Sequence, residues 1–308
     1  MAVPANTFTT YTASSNAVDV NDFVTTISPM DTPLLSTLGE STANARFKEN
    51  VTDALTAAAA NAQAEGDAFS NTAAVARERI GNYLQIFSKT IEVSETQSMV
   101  DKYGGVSSEM PYQIIKAFKE LATDVERQFI VGASASGASG TARELDGLTA
   151  LASTNTASAL SGTTWTATAA SNLAAFEDKL NDLFDLMYET GAVAKTVLVG
   201  GNRKRRISQL TTNVTRNVDA QAKTQINSID IYDSDFGQVD VILERYVPDT
   251  HIVAIDPEFL RTGYLRRFTQ MPLAKTADSI RFAVVGELTL DYYSEKAIGK
   301  LWSNEAAA

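Results

Sequence analysis

Residues 56–76 read TAAAANAQAEGDAFSNTAAVA, a stretch with ten alanines and two larger apolar residues, Phe69 and Val75. Alanine favours helix locally, but so few bulky side chains cannot hold a helix against a core. Ordering the stretch costs roughly 20–40 kcal/mol at about 1–2 kcal/mol of backbone entropy per residue. Burial of Phe69, Val75 and the alanine methyls contributes only about 13 kcal/mol. The stretch therefore predicts a segment that its own subunit cannot order.

Two segments rich in strand-forming residues flank this stretch, RFKENVTDAL (46–55) and YLQIFSKTIEVS (83–94). Their composition predicts two antiparallel strands joined through a loose tip. Strands of about 15 residues at about 3.3 Å per residue reach about 50 Å, against a radius of gyration of about 19 Å for a globule of this length. We therefore expect a hairpin that projects beyond its own subunit, and its exposed edges invite pairing with another chain.

The first forty residues contain prolines, threonines and serines, with one short apolar patch at 18–27. We interpret this segment as an arm that has no core of its own and packs on something else. Phe23 and Ile27 are its predicted contact residues. An arm and a projecting hairpin together favour self-assembly.

Two amphipathic helices are predicted in the middle of the chain. The first begins near Ser107, with Ser108 as a possible cap and Pro111 in its first turn. Its apolar residues recur at helical spacing and are Ile114, Phe118, Leu121, Val125 and Phe129. The second helix has Leu173, Phe176, Leu180, Leu183, Phe184 and Met187 on one face, with Gly191 beyond its end. The polar stretches 132–140 and 153–171 are predicted to be surface loops.

The remainder of the chain predicts mostly strands, so the expected fold class is α+β. A short helix is expected at NRKRRISQL (202–210). The predicted strands are KTVLVGG (195–201), IDIY (229–232), VDVILERY (239–246), HIVAID (251–256) and IRFAVVGELTLDYY (280–293). The last of these has apolar residues at its even positions and should face a core.

Composition excludes several classes of protein. The chain has 308 residues, 44% hydrophobic and 20% charged, which is typical of a folded soluble protein. Cysteine is absent, which removes disulfide frameworks, thiolate zinc sites and cysteine nucleophiles. The formal charge of −11 opposes avid binding to a polyanion. There is neither a run of eighteen apolar residues nor a charged signal-peptide start, so we expect synthesis in the cytosol and no membrane partner.

Four phrases resemble one protein family, the major capsid proteins of tailed bacteriophages with the Hong Kong 97-like fold. The phrases are SPMDTPLLSTLGE (28–40), AQAEGDA (62–68), RIGNYLQIFSKTIEVSETQ (79–97) and LAKTADSIRFAVVGELTLDYYSEKAIGKL (273–301). The order of the predicted elements is similar to that of the family over nearly the whole chain. Ala277 departs from the glycine often found there, which puts only the local turn in doubt.

The resemblance implies a division of the chain into parts. These are an N-terminal arm (1–40), an extended β-hairpin loop lying over a neighbouring subunit (41–96), a peripheral domain with a spine helix at about 107–131 (97–170), an axial domain near the capsomer centre (171–262) and a return to the peripheral domain (263–308). It implies a structural subunit that forms hexamers and pentamers of a shell around double-stranded DNA. Implied further partners are portal, scaffold and decoration proteins, and the implied location is the virion, assembled in the host bacterial cytoplasm.

Charged residues along the arm and loop are candidates for pairing across subunits and setting register. The predicted inter-subunit set is Arg46, Lys48, Glu49, Glu65, Asp67, Phe69, Arg77, Glu78, Arg79, Lys89 and Glu92, together with Phe23 and Ile27. The alternative is that the charges only keep an exposed arm soluble, since single surface pairs contribute little.

The sequence gives only weak indications of a catalytic, metal-binding, nucleic-acid-binding or phosphate-binding site. His251, the sole histidine, lies in an alternating strand, so we interpret it as structural. Residues 233–244 place acids at positions one, three and twelve of a calcium loop, but glycine is at the fifth place instead of the sixth, so a turn is favoured. The basic run NRKRR (202–206) could contact packaged nucleic acid, although a solvated helix face with acidic neighbours explains it equally well. Glycine-rich 132–140 and 197–204 lack a phosphate-binding signature.

We therefore expect no catalytic residue, no cofactor and no metal. Two rival functions stay open. A flagellin-like or surface-layer filament protein fits the low histidine and the absence of cysteine, but flagellins need long heptad helices at both ends. An acid–base hydrolase could use Glu126 or Asp124 on the predicted spine helix, but nothing in the sequence brings such a pair into a pocket.

Overall fold

The computed structural model describes residues 30–66, 74–101, 108–158, 170–210 and 230–303. The helices are α1 (Pro33–Thr37), α2 (Glu95–Met99), α3 (Glu109–Val131), α4 (Leu148–Leu151), α5 (Ala170–Glu189) and α6 (Gly201–Leu210). The strands are β1 (Gly39–Thr42), β2 (Phe47–Thr52), β3 (Glu78–Tyr83), β4 (Gln85–Ser94), β5 (Asn155–Ser158), β6 (Thr196–Val199), β7 (Ile231–Ser234), β8 (Gly237–Leu243), β9 (His251–Ile255), β10 (Leu260–Pro272), β11 (Ser279–Tyr292) and β12 (Ile298–Trp302). Single 3₁₀ turns lie at Pro257–Phe259 and Glu295–Ala297.

The spine helix α3 packs along a four-stranded sheet with the strand order β1-β10-β11-β4. Leu121, Val125 and Phe129 are buried in the core beneath it, as their spacing predicted. Ser108 has the extended backbone of a cap residue but makes no side-chain capping bond. The third helical residue is Pro111, which has no N–H, so one of the two usual donors to a capping side chain is missing.

The helix α3 ends at Gly132, where a side chain has no room. A Cβ atom there would lie 2.5 Å from the Gln128 carbonyl oxygen and 2.6 Å from that of Leu145. In the adjoining sheet, Gly286 of β11 makes space for the Phe268 ring of β10, which would lie 2.5 Å from an added Cβ. These close approaches explain two glycines within elements that otherwise carry side chains.

A second sheet of six strands has the order β5-β12-β9-β6-β8-β7. Helix α5 covers it with the predicted apolar face, and Phe176, Leu183 and Met187 are buried in a second cluster. Strands β6 and β9 read as continuous apolar runs because both of their faces are covered. Gly191 follows α5 with a φ of 90°, the left-handed conformation that glycine adopts most easily.

The predicted hairpin exists, but with a different second strand. β2 pairs with β3 in the antiparallel register Phe47↔Tyr83 to Thr52↔Glu78. The predicted partner segment 83–94 mostly forms β4, which pairs with β11 instead. Phe87 and Val93 of β4 are buried against the core. Because β4 has one apolar face, it pairs within the sheet that covers this face and is not part of the hairpin.

Three further differences concern the predicted elements. Residues 155–158 of the stretch predicted as a surface loop form β5, parallel to β12, while 159–169 lie outside the described residues. Strand β7 begins two residues later than IDIY predicted. The thirteen-residue β10 was not predicted, and the expected boundary between axial and peripheral parts at 262 falls inside it. The predicted helices α3, α5 and α6 and the predicted strands β6, β8, β9 and β11 lie within a few residues of where the sequence placed them, whereas α1, α2, α4, β1 and β12 were not predicted.

Among the described residues, no helix has the length and apolarity that crossing a bilayer requires.

Candidate functional site

The hairpin and its tip form the most exposed part of the described chain, and we call residues 46–83 the limb. Residues 53–66 and 74–77 have neither helix nor strand and are exposed throughout. Leu55 is 99% exposed, Val51 64% and Val75 51%. Apolar side chains this exposed are unfavourable in water. The limb therefore offers contact area that its own subunit leaves uncovered.

The base of the limb, in contrast, is fixed to the four-stranded sheet by buried polar groups. Lys48 Nζ of β2 lies 2.9 Å from Asp291 Oδ2 of β11 and donates to Ser41 Oγ at 3.0 Å. Asn50 Nδ2 donates to Asp291 Oδ1 at 2.7 Å and to the Tyr292 carbonyl at 2.8 Å. Asp291 is only 2% exposed, so these donors supply the partners that a buried carboxylate requires.

The second strand of the limb is anchored in the same way. Asn82, 2% exposed, donates to the carbonyls of Asp146 at 2.9 Å and Leu290 at 3.1 Å, and accepts from Asp146 N at 2.8 Å. Tyr292 Oη donates to the Gly81 carbonyl at 3.1 Å. Across the hairpin, the rings of Phe47 and Tyr83 are in contact, tilted at 55° with 4.6 Å between their centroids. The direction in which the limb leaves the subunit is therefore set by its base.

The predicted charges of the limb pair partly with one another. Arg77 Nε lies 3.2 Å from Asp53 Oδ2, and Arg79 Nη1 lies 3.7 Å from Glu49 Oε2. Both pairs are well exposed and contribute little to stability. Arg46, Glu65 and Glu78 are also exposed. The predicted residues Asp67, Phe69, Phe23 and Ile27 lie outside the described residues.

Lys89 and Glu92 lie on β4 and have partners within the subunit. Lys89 Nζ lies 2.9 Å from Glu120 Oε2 and 3.2 Å from Asp124 Oδ2 of the spine helix. Partial burial lowers the pKa of Lys89, but these two carboxylates outweigh it and the net shift is upward. Glu92 accepts from Ser279 Oγ at 2.6 Å and lies 3.4 Å from Arg281 Nε. A role for either residue between subunits stays a prediction.

A polar groove of about 710 Å³ runs between β4 and the first half of α3. Its charged lining residues are Lys89, Glu92, Glu109, Lys116 and Glu120. Opposite charges alternate along it, and Lys89 pairs with Glu120 across it. Such a groove has the character of a solvated contact surface rather than of an apolar ligand pocket.

The other residues singled out from the sequence have structural surroundings. His251 Nδ1 lies 2.8 Å from Thr250 Oγ1, and burial followed by the charge of Lys300 lowers the pKa of the imidazole. Asp233 lies in β7 and Asp235 in the tight turn before Gly237, whose φ is 127°, while Glu244 is buried beyond the far end of β8. In the described part of the chain, no cluster of three or more metal-ligating side chains occurs.

The basic run in α6 differs from the solvated helix face that was one interpretation of it. Arg203 and Arg206 are 6% and 7% exposed. Arg203 Nε donates to the Asp249 carbonyl at 2.6 Å, whereas Lys204 Nζ lies 2.8 Å from Asp230 Oδ1. Burial lowers the pKa of both arginines. Two of the cations are therefore part of the packing around the six-stranded sheet.

Sequence reasoning missed a buried pair of carboxyl groups. Glu126 of α3 is fully buried, and Glu244, which follows β8, is 1% exposed. Burial, and then the nearby Glu244, raise the pKa of Glu126 to about 8. Asp124, the alternative acid of the hydrolase hypothesis, lies on the exposed side of the helix and pairs with Lys89. The apolar stripe of α3 predicted its buried face, but no signal in the sequence linked Glu126 to a residue 118 positions away.

Comparison with known proteins identifies the architecture. A family model described as SU10 major capsid protein matches residues 3–305. This chain belongs to the SU10 major capsid protein family. The major capsid protein of Escherichia phage Phieco32 is 29% identical over 126 residues, which are 41% of this chain and 36% of the length of that relative. The prediction of a phage major capsid protein is thereby confirmed at the level of the family, and a flagellin-like filament is not favoured.

Solved structures show the fold of this capsid protein. A chain from the capsid of a native GTA particle matches with a TM-score of 0.66 and 13% identity, covering 94% of this chain and 96% of that one. Chains from Mycobacterium phage Bobi and Microbacterium phage Oxtober96 match with TM-scores of 0.64 and 0.61, each at 12% identity and with the same coverage. The predicted α+β, Hong Kong 97-like fold is confirmed.

Proposed function

We propose that this capsid protein is a structural subunit that assembles into hexamers and pentamers of a closed shell around double-stranded DNA. The observation that carries the proposal is the limb, which is rigidly anchored at its base and uncovered over its outer half. A segment of this kind becomes ordered only when another molecule covers it. A second copy is the partner that is always present at high concentration.

Ordering the limb costs conformational entropy, and only a partner that covers its apolar side chains compensates for this cost. Its described tip carries small side chains, with Leu55 and Val75 as the larger apolar residues. When a neighbouring copy covers them, each contributes about 1.5–3 kcal/mol of burial. Because head-to-tail contacts between identical subunits close into rings, one limb on each subunit suffices to join every neighbour in a ring. A relative's capsid, from the native GTA particle, has been described with C5 symmetry, which supports pentameric rings.

We assign the two sheets to the parts that the family resemblance implies. The four-stranded sheet and α3 belong to the proposed peripheral domain, and α5, α6 and most of the six-stranded sheet to the proposed axial domain. β12 returns from the peripheral part of the chain to pair with β9 and β5. Residues 41–96 would lie over the next subunit, and the axial part near the centre of the ring.

Further parts of the proposal concern partners and location. The protein would contact packaged DNA without sequence specificity and weakly, because its formal charge of −11 opposes avid binding to a polyanion. Portal, scaffold and decoration proteins are proposed partners, and assembly is proposed to take place in the host bacterial cytoplasm before the protein becomes part of the virion. Catalysis is not part of the proposed function.

A deletion of residues 56–76 tests the proposal. In the hairpin, Thr52 pairs with Glu78, so the deletion leaves Asp53, Ala54, Leu55 and Arg77 as a four-residue loop between paired strands. Loops of this length join antiparallel strands readily. We expect a folded, soluble protein by circular dichroism and size-exclusion chromatography, and no shells by negative-stain electron microscopy.

A matched control replaces the same 21 residues by a flexible Gly/Ser segment of equal length. This variant keeps the length of the limb but removes the side chains of its tip, so we expect that it also forms no shells. Normal shells from the deletion variant, next to normal shells from the unaltered chain, would refute the proposal.

A further inference from the structure

The polar groove between β4 and α3 runs along an open edge of the four-stranded sheet. β4 is the last strand of that sheet and pairs with β11 on one side. All six residues from Lys89 to Ser94 line the groove. Because successive side chains of a strand point to opposite faces of the sheet, six consecutive residues line one groove only where it follows the edge of the strand. The groove therefore gives access to the backbone of β4 as well as to its side chains.

An open edge of this kind can accept one further strand. Every second residue of an edge strand directs its N–H and C=O groups away from the sheet. Within the described parts of the chain, no strand pairs with this edge of β4. An extended peptide that adds to such an edge is held by main-chain hydrogen bonds, while the neighbouring side chains select its sequence. The groove is therefore suited to an extended segment of about six residues.

The helix side of the groove limits the side chains that an added strand can carry. The lining residues of α3 lie on one face of the helix and are Glu109, Gln113, Lys116, Ala117 and Glu120. Ala117 is only 3% exposed, and Lys89 Nζ reaches across to Glu120 Oε2 at 2.9 Å. Helix and strand are thus close together, so small side chains fit on the face of an added strand that is turned toward α3. The opposite face would continue the exposed polar side chains of β4, which are Thr90, Glu92 and Ser94.

The limb contains a segment with this pattern. Residues 60–66 read ANAQAEG, in which alanines alternate with Asn61, Gln63 and Glu65. A period of two places the alanines on one face of an extended strand, which we call the alanine face, and the polar side chains on the other. The segment spans about 23 Å at about 3.3 Å per residue, and the groove residues of β4 span about 20 Å. Segment and groove therefore match in side-chain size and in length.

Within one subunit, the segment and the groove stay apart. Residues 53–66 have neither helix nor strand and are exposed throughout, so the limb does not occupy the groove of its own subunit. A second copy of the chain carries the same groove and is present wherever the limb is present. Identical copies can therefore supply both halves of the contact.

We propose that residues 60–66 of one copy add as a strand to the free edge of β4 in a neighbouring copy, with the alanine face toward the spine helix of that copy. Each subunit then gives one strand and receives one. Head-to-tail contacts of this kind close into rings. The inference rests on the proposed function and names the surface that receives the limb.

Site-directed cross-linking tests where the limb lies. The chain has no cysteine, so Gln63→Cys can be labelled at a single position with a benzophenone maleimide. Position 63 is on the polar face, so the label does not fill the space beside the helix. Shells are assembled from a mixture of this labelled variant and the unaltered chain in isotope-labelled form, then irradiated and digested. We expect mass spectrometry to find cross-links from position 63 to isotope-labelled peptides that contain residues 89–94 or 109–120.

The cross-linking result separates this inference from the proposed function. Shells in which position 63 is cross-linked to other parts of the neighbouring copy would overturn the inference and leave the proposed function standing. An unaltered chain that forms no shells would overturn both.

Proline variants test the main-chain hydrogen bonds of the added strand. Successive N–H groups of a strand point to opposite sides, so either Ala62→Pro or Gln63→Pro removes a donor that faces β4. We expect at least one of the two to form few or no shells by negative-stain electron microscopy. Circular dichroism should stay unchanged, because the segment is exposed in the single subunit. Ala57→Pro, in the same exposed segment but outside the alternating residues, is the matched control and should form shells as the unaltered chain does. Normal shell yields from all three variants would refute strand addition.

Discussion

Lys48 Nζ lies 2.9 Å from Asp291 Oδ2, and this ion pair joins the base of the limb to the long strand β11. The Asp291 side chain is 1% exposed and that of Lys48 is 16% exposed. Breaking a buried pair by removing one partner is costly because a charge is left without compensation. The pair is therefore a sensitive point for the orientation of the limb.

We expect Lys48→Met to lower the free energy of unfolding by about 3 kcal/mol, since Asp291 keeps only its neutral donors. Urea denaturation of the unassembled chain measures this change. Arg79→Met removes a pair that is exposed on both sides and serves as the control, with an expected change within about 0.5 kcal/mol. Adding Asp291→Asn to Lys48→Met should recover part of the loss, and a fully additive double variant would show that the two residues do not interact.

A side chain at position 81, at the base of the limb, is expected to lower the stability of the fold. A Cβ atom there would lie 2.4 Å from the Lys48 carbonyl oxygen and 2.8 Å from the Phe47 ring. Because the Lys48 backbone cannot move aside easily, we expect Gly81→Ala to lower the free energy of unfolding by about 1–3 kcal/mol. Gly201→Ala is the matched control, as nothing lies within 4 Å of its Cβ position. It should leave stability unchanged or raise it by up to about 1 kcal/mol. Equal thermal unfolding of the two variants would contradict the crowded geometry.

The carboxyl pair predicts how stability varies with pH. The pKa of Glu126 is raised from 4.5 to about 8 in the folded state. A raised carboxyl pKa stabilises the fold below pH 4.5, and this contribution is lost as pH rises through 8, by at most about 1.4 kcal/mol per unit. We expect Glu244→Gln to be more stable than the unaltered chain at pH 8.5 and similar at pH 5. Denaturant midpoints at the two pH values provide the measurement, and an equal difference at both would contradict it.

The formal charge predicts an effect of salt on assembly. Each subunit carries −11, so repulsion between copies should oppose association at low ionic strength. Raising salt from about 0.05 to 0.5 M shortens the Debye length from about 14 to about 4 Å. We expect a higher yield of shells by light scattering and electron microscopy. A yield that falls over this range would show that attractive ion pairs between subunits dominate.

The sequence was most informative where side chains alternate or recur without interruption. The spacing of Leu121, Val125 and Phe129 predicted the spine helix, and the even positions of 280–293 predicted β11. The lack of bulky residues in 56–76 predicted an uncovered segment, and the structure leaves its described part exposed. These features are local, so a single chain segment determines them.

Elements held by distant partners could not be predicted in the same way. Arginines interrupt the pattern of β10, but Arg266 is paired with Glu287 at 3.0 Å and Arg267 with Glu40 at 2.5 Å. The polar strand β5 exists because Asn155 donates to the Lys296 carbonyl at 2.6 Å and β12 pairs with it. In each case the stabilising group is far away in sequence, and local propensity gives way to tertiary contact.

The anchor of the limb also determines when the limb can take its final direction. Asn50 and its acceptor on Asp291 are 241 residues apart in the chain, and at 5–20 residues per second a ribosome needs at least about 12 seconds to synthesise that interval. During this time β2 and β3 can form a hairpin and Asn82 can reach Asp146, but the bonds to Asp291 and Tyr292 of β11 are still missing. The limb therefore has its full set of anchoring bonds only after β11 has been made.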